Sequence, residues 1–317
     1  MSEALPLVTV IVAARPGDSE VVSVQAAQKF DYPPDRLEII VARGRQPAIQ
    51  RNRAVKEAKG ELIYFLDDDS IAPADNLKRG VQHFLKHPQA ALLGGPNVCP
   101  KDAPDLEQAF AQVMASFLAF GPSRARYASL GQLRASSEKE LILCNMMMRR
   151  QEFLAAGGFD EALYPNEENA LMDSLQKQGF TLLYDPAFLV ERRPRRDLKS
   201  FAKMLMTYGR GRAEQFRVNP TLGSAPNFVP PLFCLYLLAL PFLPKLLWWP
   251  LFAYFLAVFG QTLALPRGLE FFWPVAPLIM LSHVSYGFGF WRGLFTRLKT
   301  KAEQAAVEVV LERINPS

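Results

Sequence analysis

Residues 62 to 69 read Leu62-Ile63-Tyr64-Phe65-Leu66-Asp67-Asp68-Asp69, five apolar side chains that run straight into three aspartates. Lys59-Gly60 precedes the run, and Ser70 and Pro73 follow it. An apolar stretch of this length between turn residues predicts a strand buried on both faces of a parallel sheet. In open α/β sheets ligands sit beyond the carboxyl ends of the strands, which is where these carboxylates emerge. Adjacent negative charges repel, so the cluster calls for a positive partner. Oxygen ligands suit a hard divalent ion, Mg²⁺ or Mn²⁺, which in turn holds a phosphorylated substrate. The plainer alternative is a helix start, with Asp69 or Ser70 as N-cap and Pro73 in the first turn. The buried strand ahead of the aspartates favours the ion.

Outward from this stretch the chain alternates strand and helix. Leu7 to Ala14 predicts a first strand and Leu37 to Ala42 a second, each rich in β-branched residues. Helices are expected over Asp18 to Phe30, Pro47 to Ala58 and Ala74 to Lys86, and a short strand over Ala90 to Leu93. That alternation predicts an α/β fold with a parallel sheet and right-handed crossovers. Further on, Leu106 to Phe120 reads as a helix, Leu141 to Met148 as a buried strand, Asn169 to Gln178 as a helix and Leu198 to Phe216 as an amphipathic helix. His83 and His87 share a helix face, but no glutamate of an HExxH motif lies between them, so they read as polar surface residues.

Half of the 317 residues are hydrophobic, and they are unevenly spread. From Phe228 to Phe295 only Lys245, Arg267, Glu270 and Arg292 carry charge. Three segments stand out there: Phe228 to Leu243, short and proline-broken; Leu246 to Leu265; and Phe271 to Phe290. The last two approach the ~20 residues that cross a bilayer as helix. Trp248, Trp249, Trp273 and Trp291 lie near segment ends, as in an interfacial aromatic belt. The expected division is therefore residues 1–220 as a soluble domain ending in a juxtamembrane amphipathic helix, 228–295 as a membrane region, and 296–317 as a basic tail. Net charge is +5, concentrated at Arg192-Arg193-Pro194-Arg195-Arg196 and Arg210-Gly211-Arg212, just before the apolar region. Such clusters face the cytoplasm and anionic lipid. No interleaved aromatic motif accompanies them, so nucleic acid is not an expected partner. Cys99, Cys144 and Cys234 have neither disulfide nor zinc spacing, which fits a reducing compartment. The N-terminal stretch is too short and too soon charged to be a signal peptide.

Five motifs then occur in order: LVTVIVAARPGD (7–18), LEIIVARG (37–44), RNRAVKEAKGELIYFLDDDS (51–70), NMMMRRQEFLAAGGFDE (145–161) and NEENALMDSLQKQGF (166–180). Together they resemble the family 2 inverting glycosyltransferases of GT-A fold, most of all membrane-attached bacterial members that assemble surface polysaccharides. The resemblance covers residues 6 to 217 and the apolar tail. It implies a GT-A domain, Rossmann-like with a mixed, mostly parallel sheet, followed by C-terminal transmembrane helices. It also implies a nucleotide-sugar donor, a divalent metal ion (Mg or Mn), and a membrane-associated acceptor, expected to be a polyprenyl-diphosphate-linked glycan. Localisation in a bacterial inner membrane, with the catalytic domain cytoplasmic, follows from the same resemblance.

The resemblance assigns Asp67 and Asp69 to the ends of a DxD motif, with Asp69 on the metal and Asp67 toward sugar or ribose. A Lewis acid there stabilises the charge that develops on a leaving nucleoside diphosphate. Arg51 and Arg53 are candidate donor-binding residues, with a solvated helix face as the equal alternative. Glu167-Glu168 stands at the family's acidic pair, whose second member, here Glu168, takes the acceptor proton; Glu167 stays open as the base. Two acids at a helix start also suit its dipole. Arg192, Arg193, Arg210 and Arg212 are candidates for acceptor or phosphate contacts, with snorkelling at the interface as the rival. One departure stands out: the second strand ends in Val41-Ala42-Arg43-Gly44, without the acid that this family commonly uses to hold the nucleotide. A nucleotidyltransferase and a non-catalytic membrane scaffold are the competing readings; the GGFDE and NEEN motifs speak against the first, and retention of both acidic clusters against the second.

Overall fold

The structure, a computed structural model, describes residues 5–18, 20–163, 166–218, 220, 222–297 and 308–316. In chain order the elements are β1 (Val8–Ala14), α1 (Val22–Ala27), β2 (Leu37–Arg43), α2 (Pro47–Glu57), β3 (Leu62–Asp67), α3 (Asn76–Lys86), β4 (Ala90–Gly94) and β5 (Asn97–Val98). There follow α4 (Asp105–Ala115), α5 (Phe117–Phe120), β6 (Arg134–Ala135), β7 (Asn145–Arg149), α6 (Arg150–Ala155), α7 (Glu167–Lys177), β8 (Thr181–Tyr184) and β9 (Val190–Glu191). The last are α8 (Leu198–Val218), α9 (Val229–Ala239), α10 (Trp249–Ala264), α11 (Phe272–Phe295) and β10 (Val310–Ile314). They form two compact units: Met1–Val98 with Ala125–Arg192 and Lys299–Ser317, and Cys99–Arg124 with Arg193–Leu298.

The first unit is a mixed sheet in the order β10-β2-β1-β3-β7-β4-β8-β6. β1 pairs in parallel with β2 and β3, and β4 with β8, while β7, β6 and β10 run antiparallel to their neighbours. Alternation along the strands fills both faces. Val8, Val10 and Val12 of β1 join Tyr64 and Leu66 of β3 in one core, and Ile11 joins Ile63 and Phe65 in the other. Burying each such side chain contributes roughly 1.5–3 kcal/mol, which is why a run of these residues becomes a central strand. The chain passes from β1 to β2 on one side and β3 on the other, so the crevice at their carboxyl ends is a topological switch point. Ala13 lies opposite Asp67 at that edge.

Beneath this edge Tyr64 donates to Asn145 Oδ1 (2.8 Å) and accepts from Asn76 Nδ2 (2.8 Å), and Asn145 donates to the carbonyl of Phe188 (2.6 Å). β3, β7, α3 and the turn after β8 are thereby locked together. His83 is less of a surface residue than its helix position suggests: its Nε2 lies 2.8 Å from Asp185 Oδ2, and its side chain is 15% exposed.

Several expectations change. The Leu106–Phe120 helix breaks at Ser116, whose extended backbone and hydroxyl cap α5 by accepting from the Ala119 amide (3.2 Å). The expected strand over Leu141–Met148 begins only at Asn145, with Leu141 and Leu143 buried in the approach to it. Most consequential is the basic tail: Val310–Ile314 is the edge strand β10, antiparallel to β2 with Val310 opposite Arg43. Ile314 packs on one core of the sheet and Leu311 on the other, while Val310 stays half exposed, as suits an edge strand. Lys299 and Lys301, part of the expected tail, lie outside the described residues.

In the second unit α8 and α11 pack through glycines. A Cβ on Gly209 would meet the carbonyl oxygen of Tyr286 at 2.0 Å, and one on Gly289 that of Met206 at 2.0 Å. Phe201 of α8 stacks on Phe110 of α4 with centroids 4.1 Å apart. By length and composition Gly223–Phe242 and Lys245–Ala264 can each cross a membrane, and only 11% of each is buried.

Candidate functional site

The three aspartates sit where β3 ends, and the chain holds them from both sides. Asp67 closes β3; Ser70 returns its amide to the Asp67 carbonyl (3.1 Å). Ile71 and Glu191 then exchange two backbone hydrogen bonds of 2.8 Å, while β9 pairs in parallel with β5. Arg192 continues that ladder by donating its amide to the Val98 carbonyl (2.9 Å). Its side chain is thus delivered to the aspartates by sheet pairing. The Arg192 Nε lies 2.5 Å from Asp69 Oδ1, and its Nη1 3.1 Å from Asp67 Oδ2. On the other oxygen, Asp67 accepts from Arg51 Nη2 at 2.7 Å. Arg51 in turn places Nη1 3.7 Å from Glu167 Oε1. The result is a ladder of side chains, Asp69–Arg192–Asp67–Arg51–Glu167, joining the two acidic motifs across 100 residues of sequence.

Burial sets the electrostatics. Arg51 is 5% and Glu167 2% exposed, so the ladder's inner end is almost out of water. Desolvation, together with the adjacent Glu168, pushes the Glu167 carboxyl well above the usual glutamate range, against the pull of Arg51. Desolvation also raises Asp68, helped by Asp69 and Asp67. For Arg192 desolvation works the other way, yet Asp67 and Asp69 outweigh it and hold the guanidinium firmly charged. Cys144, buried beside them, has its thiol pushed up to about 11 by desolvation, so it is no nucleophile.

Glu168 differs from its neighbour. It is half-buried, and Asn169 Nδ2 donates to its Oε1 at 3.3 Å. Asn169 is itself fixed: its Oδ1 accepts from Arg126 (2.6 Å), and its Nδ2 donates to Asn166 Oδ1 (3.0 Å). Arg126 is anchored on the carbonyls of Lys139 and Glu138. Both acids lie in the first turn of α7, where a helix dipole favours carboxylates.

A divalent ion is compatible with these groups only in one way. Among the described residues no three or more His, Cys, Asp or Glu side chains converge as a cage. Asp69, with 52% of its side chain exposed, and Asp67 offer hard oxygens at the open edge. That is the donor set of an ion held by one or two carboxylates and completed by substrate phosphate and water.

Of the other expected site residues, Arg53 lies on the exposed face of α2, turned from the ladder that Arg51 enters. Arg193, Arg210 and Arg212 belong to the second unit. There Arg193 pairs with the buried Glu107 (3.2 Å), Arg210 with Glu214 (3.4 Å), and Arg212 donates to Gln215 (3.1 Å). Reasoning from sequence missed Arg126, Asn169 and Glu312. Glu312 of β10 accepts from Arg43 Nε at 2.8 Å, and Arg43 Nη1 donates to the carbonyls of Asp18 (2.8 Å) and Arg15 (3.3 Å). An acid thus does stand beside the end of β2, brought there by the last strand as the counter-charge of Arg43. The β-branched run Val307-Glu308-Val309-Val310-Leu311 was the available signal.

Comparison with known proteins bears on the family and the fold. The family model described as "Glycosyltransferase like family 2" matches residues 2–207. The succinoglycan biosynthesis protein ExoA of Rhizobium meliloti (strain 1021) is 28% identical over 253 residues, which is 77% of this chain and 73% of that protein. Among solved structures, the mannosyltransferase PcManGT from Pyrobaculum calidifontis, in complex with GDP-Man and Mn²⁺, superposes with a TM-score of 0.54. At 17% identity over 90% of this chain and 88% of that one, the likeness is one of fold. S. aureus TarS (1–349) is more distant, with a TM-score of 0.42 and 12% identity over 91% and 90% of the two chains.

Proposed function

This chain belongs to the glycosyltransferase-like family 2, and on that premise we propose that it moves a sugar from a nucleotide-diphosphate donor, with inversion, to a membrane-associated glycan. The observation that carries the reading is the ladder Asp69–Arg192–Asp67–Arg51–Glu167, which links the acidic loop of β3 to the acids of α7. Asp69, with Asp67 beside it, would hold a divalent ion that stabilises the charge developing on the leaving diphosphate. Arg51 fixes Asp67 in place and ties it to α7. Glu168 takes the proton from the attacking acceptor hydroxyl, because it is the acid of the pair with access to solvent. Glu167, almost fully buried, acts as a link to Arg51 rather than as the base. The mannosyltransferase that shares the fold was solved with GDP-Man and Mn²⁺, which supports a nucleotide-sugar donor and a divalent ion here.

The acceptor reading rests on the second unit and on ExoA, a protein of polysaccharide biosynthesis. Apolar helices left unburied suit lipid, and an enzyme held at a bilayer suits a polyprenyl-diphosphate-linked glycan. In this reading the catalytic domain is cytoplasmic, at the bacterial inner membrane. The pairing of β10 with β2 supports an even number of crossings, since the chain leaves the sheet after Arg192 and rejoins it in β10. The basic residues of the tail then stay on the catalytic side, consistent with the positive-inside tendency. Incubation of the purified chain in detergent with Mn²⁺ and a panel of nucleotide sugars tests the donor. Release of nucleoside diphosphate from one of them is expected, and release from none contradicts the reading.

A further inference from the structure

The acidic loop already has its positive partner within the chain. Arg192 spans both carboxylates, with Nε on Asp69 and Nη1 on Asp67, and it is 24% exposed. Its position is not that of a wandering surface side chain. Residues 190 to 192 are fixed by backbone pairing to Ile71 on one side and to Asn97 and Val98 on the other. A fork of this kind is among the stronger ways to neutralise two carboxylates. An Mg²⁺ ion bound to Asp69 would need its oxygen at about 2.0–2.1 Å, in the space where the guanidinium now approaches. Two cations so close in a partly buried site also repel one another.

We propose that Arg192 is the resting counter-charge of the acidic loop, and that its guanidinium and a divalent ion exclude one another at Asp67 and Asp69. A diphosphate changes the balance by giving the displaced guanidinium a new anion. Ion and donor therefore load together, and the ion alone binds weakly. Arg192 is a positioning residue in this scheme, and the scheme rests on the assignment of Asp69 as an ion-binding group.

The test is electron paramagnetic resonance titration of Mn²⁺ into the full-length protein in detergent, with and without GDP or UDP. Wild type should bind Mn²⁺ weakly alone and much better with the nucleotide. Arg192→Met should bind Mn²⁺ alone about tenfold more tightly, as expected from removing a unit charge at close range, and should gain less from the nucleotide. Arg192→Lys should fall between the two, because an ammonium is a single point charge and cannot fork. Circular dichroism melts establish that each variant is folded. If Arg192→Met does not fold, Arg192→Lys must still bind Mn²⁺ alone more tightly than wild type. Unchanged or weaker Mn²⁺ affinity in the folded variants, with nucleotide still recruiting the ion, overturns the exclusion and leaves the donor reading standing. Failure of all three proteins to bind Mn²⁺ under any condition overturns both.

Discussion

In the sheet unit Arg51 and Glu167 are 5% and 2% exposed, whereas in the helical unit Phe242 and Trp273 are 88% and 83% exposed. One unit buries charge and pairs it; the other presents large apolar side chains outward and keeps its small residues for contacts between helices. Gly209, Gly289 and Gly293 all lie where α8 and α11 touch. Under the proposed membrane placement of the helical unit, the inversion follows from solvent. Water tolerates charge at the edge of a sheet and drives apolar strands inward. Lipid offers no such drive, so helices associate through close backbone packing and small residues.

The largest effect expected on the charged side comes from the open edge. Asp69→Asn removes the most exposed carboxylate of the ladder without disturbing Asp67 or Arg51. Calorimetry with a nucleoside diphosphate and Mn²⁺ should lose most of its metal-dependent heat, while the melting temperature stays near wild type. On the apolar side, Gly289→Ala places a methyl group 2.0 Å from the Met206 carbonyl oxygen, and the helices must part. Overpacking of this kind costs about 1–3 kcal/mol or more. Gly260→Ala in α10 is the counterpart, with no heavy atom within 4 Å of the new methyl. It should be neutral or stabilise by up to about 1 kcal/mol, from helix propensity alone. Melts in detergent should separate the pair.

A smaller effect concerns pH. The Glu167 carboxyl is raised in the folded state, by burial first and by Glu168 second. A raised acid favours the folded state while it is protonated in both states. That advantage is lost as pH climbs from the ordinary value of 4.5 through the raised one. Wild type should therefore lose melting temperature as pH rises through neutrality, and Glu167→Gln should lose less. Equal slopes would mean that Arg51 keeps Glu167 ionised.

How much of this was legible depended on distance along the chain. β1, β2 and β3 announce themselves because burial on both faces forces continuous apolar runs, and the aspartates inherit their place from β3. The acids of α7 were legible from local motif. The ladder between them was not, because Arg51, Arg192 and Glu167 meet only through sheet order and crossover helices. β10 was hidden for a related reason. Five residues at an edge carry a weak pattern, and basic residues upstream suggested a tail. Its pairing with β2 makes the C terminus a probe of topology. In a background with Cys99 and Cys234 replaced by serine, Ser317→Cys should resist an impermeant thiol reagent in intact cells. Ready labelling would require an odd number of crossings, or a catalytic unit outside the cell.

The most direct measurement is of Glu168→Gln. The substitution keeps the size of the side chain and removes its proton affinity, so donor and Mn²⁺ should bind as in wild type. Transfer of radiolabelled sugar to membrane lipid should fall by about 10² to 10⁴, the usual span for general-base catalysis. Transfer at the wild-type rate in Glu168→Gln, above all beside an inactive Glu167→Gln, would contradict the account and move the base into the buried end of the ladder.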